Sequence, residues 1–320
     1  MRILLTGATG FVGRACVERL AGHDLVAAVR GGSESKPLAA SLRAVEVGDI
    51  GPTTDWAEAL VGVDAVLHVA GRAHVLREPD ADAISRFRAV NTEGTRVLAE
   101  AAARAGVRRF VFVSSIGVHG RGQAADYKGP GYSPADEPAP RDDYAVSKLE
   151  AERILLPMKE IGPVVVRPPL VYGPNVPGNL RTLLGLIRRG LPLPFQGVRN
   201  RRSMIGVRNL ADLLAITLEH PSAAGEIFNV ADADEVSTPE IVRALATGLG
   251  RPARLFPLPS GLVGGLARLA RKEKMYEQLF GSFVVDGSRA RDLLAWTPPQ
   301  SIQDGLVECG RSYAEARAQG

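Results

Sequence analysis

The sequence is poor in the side chains that build disulfide frameworks and metal centres. It holds two cysteines, Cys16 and Cys309, and five histidines among 320 residues. Two cysteines cannot form a disulfide framework that stabilises a chain of this length, so we expect reduced thiols and a cytoplasmic protein. No cluster of cysteine and histidine has the spacing of metal ligands, which predicts that the protein binds no metal.

Long apolar runs and a large excess of one charge are also missing. No uninterrupted apolar stretch approaches the roughly 18 residues that a membrane-spanning helix needs. Only five residues precede the first Thr-Gly pair, too few for the apolar part of a secretory signal. Lysine and arginine total 39 against 35 aspartates and glutamates, a net charge of +4. We therefore expect neither a membrane nor a nucleic acid as partner.

What remains is the composition of an ordinary globular protein. Hydrophobic residues make up 45% of the chain and charged residues 23%, fractions that exclude a disordered or fibrous chain. At about 150 residues per domain, the length predicts two domains.

The first 170 residues alternate short apolar runs with segments of helical period. The predicted strands are Arg2–Thr6, Leu25–Arg30, Ala44–Val47, Ala65–Val69, Phe110–Ser114 and Val164–Arg167, and the predicted helices are Gly13–Ala21, Asp55–Val61, Thr92–Arg104 and Tyr144–Lys159. Continuous apolar strands that alternate with helices are typical of a parallel sheet covered on both faces. The fold class predicted is therefore α/β, a doubly wound parallel sheet of the Rossmann type.

Proline and glycine become frequent after residue 167, which indicates a second unit. We expect a dinucleotide-binding domain over residues 1–170, to which parts of 204–232 return, including a strand at Ile227–Val230. Residues 171–203 and 233–320 would form a smaller C-terminal substrate-binding domain. Its predicted helices are Asn179–Arg189, 238–250, 261–280 and 301–316, and Asn209–Glu219 is a further helix. The Gly-, Pro- and Asp-rich stretch 121–142 is predicted to be a long functional loop.

A glycine-rich turn follows the first strand. Gly7, Gly10 and Gly13 are spaced G-x-x-G-x-x-G between a predicted strand and a predicted helix. Without a Cβ, the backbone can turn tightly and a pyrophosphate can approach the N–H groups at the helix N-terminus. In a β-α-β context this motif predicts a dinucleotide site.

The residue that ends the second predicted strand bears on the type of cofactor. An acidic residue there would bind the ribose 2′-hydroxyl of NAD, whereas this chain has Arg30, followed by Gly31, Gly32 and Ser33. A guanidinium can hold a 2′-phosphate through two hydrogen bonds. The cofactor is thus predicted as NAD or NADP, and Arg30 favours NADP.

Tyr144 and Lys148 lie four residues apart on a predicted helix and so share one face. A neighbouring ammonium is expected to lower the pKa of a tyrosine, which near neutral pH is otherwise a poor base. Ser114 and Ser115 end a predicted strand at the edge of the sheet where ligands bind. These side chains are candidates for proton exchange with a hydroxyl group of a substrate.

Taken together, the motifs resemble those of the extended short-chain dehydrogenases/reductases, and within them the NAD-dependent epimerase/dehydratase family. The resemblance covers nearly the whole chain and rests on TGATGFVG at 6–13, Gly48-Asp49-Ile50, His68-Val69-Ala70-Gly71, Asn91-Thr92-Glu93-Gly94, SSIGVHG at 114–120, YAVSK at 144–148, RPPLVYGP at 167–174, RRSMIGVRNLAD at 201–212 and SRARDLLAW at 288–296.

The resemblance implies a role for each matching residue. Ser115, Tyr144 and Lys148 would be catalytic: Tyr144 as acid and base, Ser115 holding the reacting oxygen. Asp49 and Ile50 would lie at the adenine. Asn179 and Arg202 would join Ser115 and Tyr144 in binding substrate. Besides the glycines, Arg30, Asp49 and Ile50, the implied cofactor-binding residues are Thr9, Phe11, Val12, Val69, Ala70, Gly71, Asn91, Ser114, Tyr144, Lys148 and Pro168.

Departures from the family pattern narrow the function. Residues 116–117 are Ile-Gly where the 4,6-dehydratases carry Asp-Glu, and His119 replaces a common tyrosine. The resemblance therefore implies an enzyme that acts at C4 of a nucleotide sugar, foremost a UDP-hexose or UDP-N-acetylhexosamine 4-epimerase. An NADPH-dependent reductase of nucleotide-4-keto sugars and a non-catalytic cofactor-binding regulator stay open. The family's dimers form through the helices that match Thr92–Ala105 and Tyr144–Lys159, which implies a homodimer.

Overall fold

A computed structural model describes residues 1–31, 42–73, 82–120, 122–124, 126–258 and 280–318. Its main element is a seven-stranded sheet in the order β3-β2-β1-β4-β5-β6-β9, and every pair of neighbours is parallel. The strands are β1 (Arg2–Thr6), β2 (Asp24–Val29), β3 (Arg43–Glu46), β4 (Ala65–His68), β5 (Arg109–Val113), β6 (Pro163–Arg167) and β9 (Ile227–Asn229).

Helices cover both faces of this sheet. The helices packed on the sheet include α1 (Phe11–Arg19), α3 (Gly94–Arg104), α4 (Asp143–Leu155), α6 (Val207–Glu219) and α8 (Ser288–Leu294). The others are α2 (Ala83–Phe87), α5 (Gly178–Arg188), α7 (Thr238–Gly248) and α9 (Ile302–Ala318). Because side chains alternate along a strand, Ile3 and Leu5 pack on the side of α6, whereas Leu4 joins Leu98 and Leu155 of α3 and α4. This architecture confirms the predicted doubly wound fold class.

The six predicted strands of the first half form within one residue of their predicted bounds, but one predicted helix is wrong. Residues 55–61 form consecutive turns in place of a helix. The apolar spacing reflects burial, since Trp56, Ala59 and Leu60 are buried against the sheet. The predicted helix 261–280 falls almost entirely outside the described residues.

A second core lies beside the sheet, between α5, α7 and α9. Here β7 (Leu170–Tyr172) pairs in parallel with β8 (Met204–Gly206) in a separate two-stranded sheet. The hydroxyl of Tyr172 donates to Asp232 at 2.6 Å, and the same carboxylate accepts from the side-chain amide of Asn209 at 2.7 Å. Of the segment 204–232, residues 204–206 therefore belong to the small sheet. In the rest of it, α6 packs on the large sheet and β9 pairs with β6.

The β5–α4 loop, residues 120–142, reaches across to the C-terminal part of the chain. The backbone of Gln123 exchanges two hydrogen bonds with that of Ser282, and the N–H of Tyr132 donates to the carbonyl of Val284. This pairing joins the segment before α4 to the segment before α8.

Candidate active site

The switch point of the sheet lies between β1 and β4, which are neighbours with helices that leave on opposite faces. The β1–α1 turn fits closely there. Gly7 has φ +74°, and a Cβ at this residue would lie 2.9 Å from the backbone nitrogen of Ala70. A Cβ at Gly13 would lie 2.0 Å from the carbonyl oxygen of Gly7. Glycine is therefore required at both positions, and the turn leaves its outer side open to a ligand.

The N-terminus of α1 faces the same crevice. Its N-cap is Gly10, which offers no side chain to cap the first turn, so the N–H groups of Phe11 and Val12 have no side-chain acceptor there. Thr9 and Gly10 are exposed. Unmatched N–H groups and the positive end of the helix dipole suit the pyrophosphate of a dinucleotide, so these residues fit the predicted cofactor.

A buried chain of hydrogen bonds supports the opposite wall of the crevice. Thr6 Oγ1 accepts from the N–H of Ala70 at 3.1 Å and lies 2.7 Å from Nδ1 of His68, whose Nε2 lies 3.0 Å from Thr95 Oγ1. Burial, helped by the charge of Lys148, lowers the pKa of His68 to about 3, so the ring is neutral. The sequence motifs gave Thr6 and Thr95 no role, although Thr6 directly precedes Gly7 and Thr95 directly follows the motif Asn91-Thr92-Glu93-Gly94.

A π-helical segment, Arg88–Glu93, joins α2 to α3 and carries Asn91. The side-chain oxygen of Asn91 accepts from the N–H of Arg72 at 2.8 Å, and its amide donates to Ser147 Oγ at 3.0 Å. Asn91 thereby fixes the backbone after Gly71 to helix α4. Irregular helical turns of this kind are frequent at functional sites.

Ser115 and Tyr144 meet at the carboxyl end of β5. Ser115 caps the short 3₁₀ helix Ile116–His119 and accepts from the N–H of Gly117 at 3.1 Å. Its hydroxyl also lies beside that of Tyr144, whose pKa it lowers. The ring of Tyr144 stands edge-on to Phe87, with centroids 6.2 Å apart. The structure thus brings together the two hydroxyl groups that the sequence assigned to the reacting oxygen.

Burial raises the pKa of Tyr144 to about 12, with a further contribution from the carboxylate of Asp142. The neighbouring hydroxyl of Ser115 opposes this rise in pKa. Lys148 is not among the groups that change this pKa, so the expected lowering by its ammonium is not found in this structure. In this arrangement Tyr144 is a proton donor and not a ready base.

Lys148 lies one turn along α4 and is almost completely buried. Its Nζ donates to the carbonyl of Val113 at 2.8 Å and sits 4.4 Å from the ring centroid of Phe112. A Cβ at Gly71 would lie 3.2 Å from this nitrogen and 3.3 Å from the side-chain oxygen of Asn91. Burial lowers the pKa of Lys148 to about 7, against the opposing charge of Glu152.

This pKa predicts how stability depends on pH. Below about pH 7 the buried amine is charged in the folded and the unfolded protein, and the cost of burial is complete. Between pH 7 and 10.5 only the unfolded chain stays protonated, so the contribution of Lys148 to stability rises with pH. We measure the free energy of unfolding of nucleotide-free protein by urea denaturation at pH 6 and pH 9. The value for Lys148→Met minus that for wild type should be larger at pH 6 than at pH 9.

The exposed Lys159 provides the control for this measurement. Lys159→Met should differ from wild type by the same amount at both pH values. A Lys148→Met difference that does not change with pH would show that the amine keeps its ordinary pKa.

Ser114, predicted to bind the cofactor, turns its hydroxyl away into the protein. It donates to Glu152 at 2.5 Å. Glu152 forms a buried, bidentate ion pair with Arg167 of β6, with distances of 3.0 and 2.6 Å, and the Nη1 of Arg167 lies 3.0 Å from His119 Nε2. This network beneath the catalytic residues was missed, although an arginine that ends the apolar run of β6 could have indicated it.

The remaining predicted residues lie at the outer parts of the crevice. Arg30 follows β2, and its Nε lies 3.3 Å from a carboxylate oxygen of Asp49. Ile50 packs against Gly94, and a Cβ at Gly94 would lie 2.6 Å from Cγ2 of Ile50. Pro168 accepts from the N–H of Ile116 at 3.0 Å, and Val69 ends β4 beside Ala70. Gly32 and Ser33 lie outside the described residues.

The two residues implied for the substrate phosphates lie toward the second core. Asn179 is exposed in the first turn of α5. Arg202 precedes β8, and its Nη1 donates to the carbonyl of Gly281 at 3.1 Å. Burial lowers the pKa of Arg202 to about 10, so it is an enclosed cation and not part of a solvated basic surface.

A glycine-rich turn at the switch point, with serine, tyrosine and lysine at the end of β5, defines a short-chain dehydrogenase/reductase of the extended type. The chain belongs to the NAD dependent epimerase/dehydratase family, whose family profile matches residues 3–231. The chain is thus an enzyme of the extended short-chain dehydrogenase/reductase type.

Relatives match over almost the whole length. A UDP-glucose 4-epimerase from Vibrio cholerae is 38% identical over 98% of this chain and 96% of its own. The N-acetyl-alpha-D-glucosaminyl-diphospho-ditrans,octacis-undecaprenol 4-epimerase of Escherichia coli O157:H7 is 27% identical over 82% and 77%. The structure of MoeE5 in complex with UDP-glucose and NAD superposes with a TM-score of 0.75 at 25% identity, and covers all of both chains.

Two features are not found in the part of the chain that the structure describes. None of its helices is both long and apolar enough to cross a membrane. Within the same residues, no three His, Cys, Asp or Glu side chains are grouped so that they could hold a metal ion.

Proposed function

We propose that the protein is an NAD-linked 4-epimerase of a nucleotide sugar, with a UDP-hexose or a UDP-N-acetylhexosamine as substrate. The observation that carries the proposal is the placing of the Ser115 and Tyr144 hydroxyls side by side, with the buried Lys148 one turn along α4. The 38% identity to a UDP-glucose 4-epimerase supports it.

Each catalytic side chain has a separate task. Tyr144 would give a proton to the C4 oxygen in one direction and take it up in the other, and the second role requires a pKa below the value of about 12 that burial gives it here. Ser115 would hydrogen-bond to the same oxygen. Lys148 lies between the turn at Gly71 and the end of β5, where its charge lowers the free energy of an anionic oxygen nearby. The bound dinucleotide would supply reversible hydride transfer at C4. Gly7, Gly10 and the first turn of α1 would hold its pyrophosphate.

The residues next to Ser115 favour epimerisation over loss of water. Elimination needs an acid and a base near C5 and C6 of the sugar. Ile116 is buried and apolar, and Gly117 has no side chain. Neither residue 116 nor residue 117 therefore supplies an acid or a base.

The cofactor and the substrate contacts are part of the same proposal. MoeE5 was solved with NAD, and NAD is the cofactor proposed here; the preference for NADP that Arg30 suggested stays a prediction. Asn179 and Arg202 would bind the diphosphate of the substrate, since a half-buried guanidinium favours an anionic partner. The homodimer and the domain bounds also stay predictions.

A substrate panel tests the proposal. Purified enzyme is incubated with UDP-glucose, UDP-galactose, both UDP-N-acetylhexosamines and undecaprenyl-diphospho-N-acetylglucosamine, with no reductant added. We expect one UDP-sugar to be converted to its C4 epimer without added reductant, because the hydride removed is returned to the same molecule. Chromatography of the UDP-sugars detects this conversion. A separate incubation supplies NADPH and a nucleotide-4-keto sugar. Consumption of NADPH there, with no epimerisation in the panel, would establish the reductase instead.

A further inference from the structure

Glu46, the last residue of β3, reaches across to the end of β2. Its Cα lies opposite Val29 in the parallel register, and the N–H of Val47 donates to the carbonyl of Val29 at 2.9 Å. The exposed carboxylate lies against Gly31, where a Cβ would be 1.7 Å from Oε1. Gly31 has φ +84°, a conformation that favours glycine.

This is the place where the fold puts the adenosine ribose of a dinucleotide. In doubly wound sheets an acidic residue at the end of the second strand, about 20 residues after the glycine turn, accepts from the ribose 2′-hydroxyl. Here that residue is Arg30, which offers no acceptor. The carboxylate that lies at the end of β2 belongs to the neighbouring strand.

We propose that Glu46 accepts the 2′-hydroxyl of the adenosine ribose and makes the site select NAD over NADP. The inference rests on the proposed use of a nicotinamide dinucleotide. Glu46 of β3 would then take the place of the acidic residue that is missing at the end of β2 in the choice between NAD and NADP.

Local charge supports this assignment. Arg30 is the one cation that the described contacts place at the end of β2, and its Nε lies 3.3 Å from a carboxylate oxygen of Asp49. The carboxylate of Asp49 thus faces this guanidinium, and that of Glu46 lies against the next residue, Gly31. A 2′-phosphate would have to replace Asp49 at Arg30 and approach the carboxylate of Glu46, and both changes disfavour an anion.

Binding measurements test the proposal without reference to catalysis. Fluorescence titrations give the affinities of nucleotide-free protein for NADH and NADPH, in wild type and in Glu46→Gln, Arg30→Gln and Glu160→Gln. The last variant makes the same change of charge at the exposed residue that precedes β6, at the opposite edge of the sheet.

We expect wild type to bind NADH at least about 10-fold more tightly than NADPH. Glu46→Gln should reduce that preference by roughly 10- to 100-fold, the usual range for a hydrogen bond to a charged acceptor. Arg30→Gln and Glu160→Gln should keep the preference for NADH. Acid release of the nucleotide from purified wild-type protein should yield NAD.

Two results would overturn the proposal. An unchanged ratio in Glu46→Gln would remove Glu46 from the site, and a preference for NADPH that is lost in Arg30→Gln would assign discrimination to Arg30. Failure of both dinucleotides to bind would overturn this inference together with the proposed function. Selective binding of NADH without epimerisation of any sugar would support Glu46 and contradict the proposed function alone.

Discussion

Replacing Tyr144 by phenylalanine is expected to lower kcat by at least about 100-fold, the usual scale of general acid–base catalysis. The substitution removes one oxygen and keeps the ring that packs against Phe87. Ser115 keeps its hydrogen bond from the N–H of Gly117, so the end of β5 should not rearrange. Turnover of the substrate found in the panel, measured beside cofactor binding, gives the result.

Cofactor affinity separates a catalytic role from a structural one. Tyr144→Phe should bind the dinucleotide nearly as wild type does, because the glycine turn and α1 are unchanged. Tyr313→Phe, a half-buried tyrosine on α9, is the matched control and should retain full activity. Wild-type turnover in Tyr144→Phe would show that another group exchanges the proton.

The second large effect is expected at the ion pair beneath the site. Arg167→Met should lower the free energy of unfolding by about 3–5 kcal/mol, because it leaves the carboxylate of Glu152 buried without its cation. The side chains of Arg167 and Glu152 are only 2% and 1% exposed, so water cannot replace the lost partner. Urea denaturation followed by circular dichroism measures the change.

A more exposed ion pair, whose acid also lies on α4, gives the comparison. Arg88 forms a bidentate pair with Glu150, two residues before Glu152. Arg88→Met should change stability far less, because exposed pairs contribute little. The double variant Arg167→Met/Glu152→Leu should recover part of the loss, since no buried charge is left alone. Equal losses from Arg167→Met and Arg88→Met would mean that solvent reaches Glu152.

The parts of the site that a local motif defines could be predicted from the sequence. The order of strand, glycine turn and helix follows from residues 2–19, and the face shared by Tyr144 and Lys148 follows from their spacing on a helix. Ser115 lies at the carboxyl end of β5 as predicted, because strands of a parallel sheet end at the same edge, whereas the hydroxyl of Ser114 turns into the protein.

The parts that depend on contacts between distant residues could not be predicted in this way. Ser114 and Ser115 are adjacent in the chain, yet one binds Glu152 and the other Tyr144, because successive side chains leave a strand on opposite sides. Glu46 reaches Gly31 only through the register of β2 with β3. The pKa of Tyr144 depends on how deeply α4 is buried, which no motif encodes.

The pairing of the β5–α4 loop with the segment before α8 affects the order in which a growing chain can be completed. The side chain of Gln123 bonds to the backbone of Val284, 161 positions further along. At a synthesis rate of about 5–20 residues per second, roughly 8–30 s separate the two residues. Strands β1 to β6 are all made before Val284, whereas the loop between Ser115 and Tyr144 must wait for it. Strands β1 to β6 can therefore pair on the ribosome first, and the β5–α4 loop reaches its final pairing only when the chain is nearly complete.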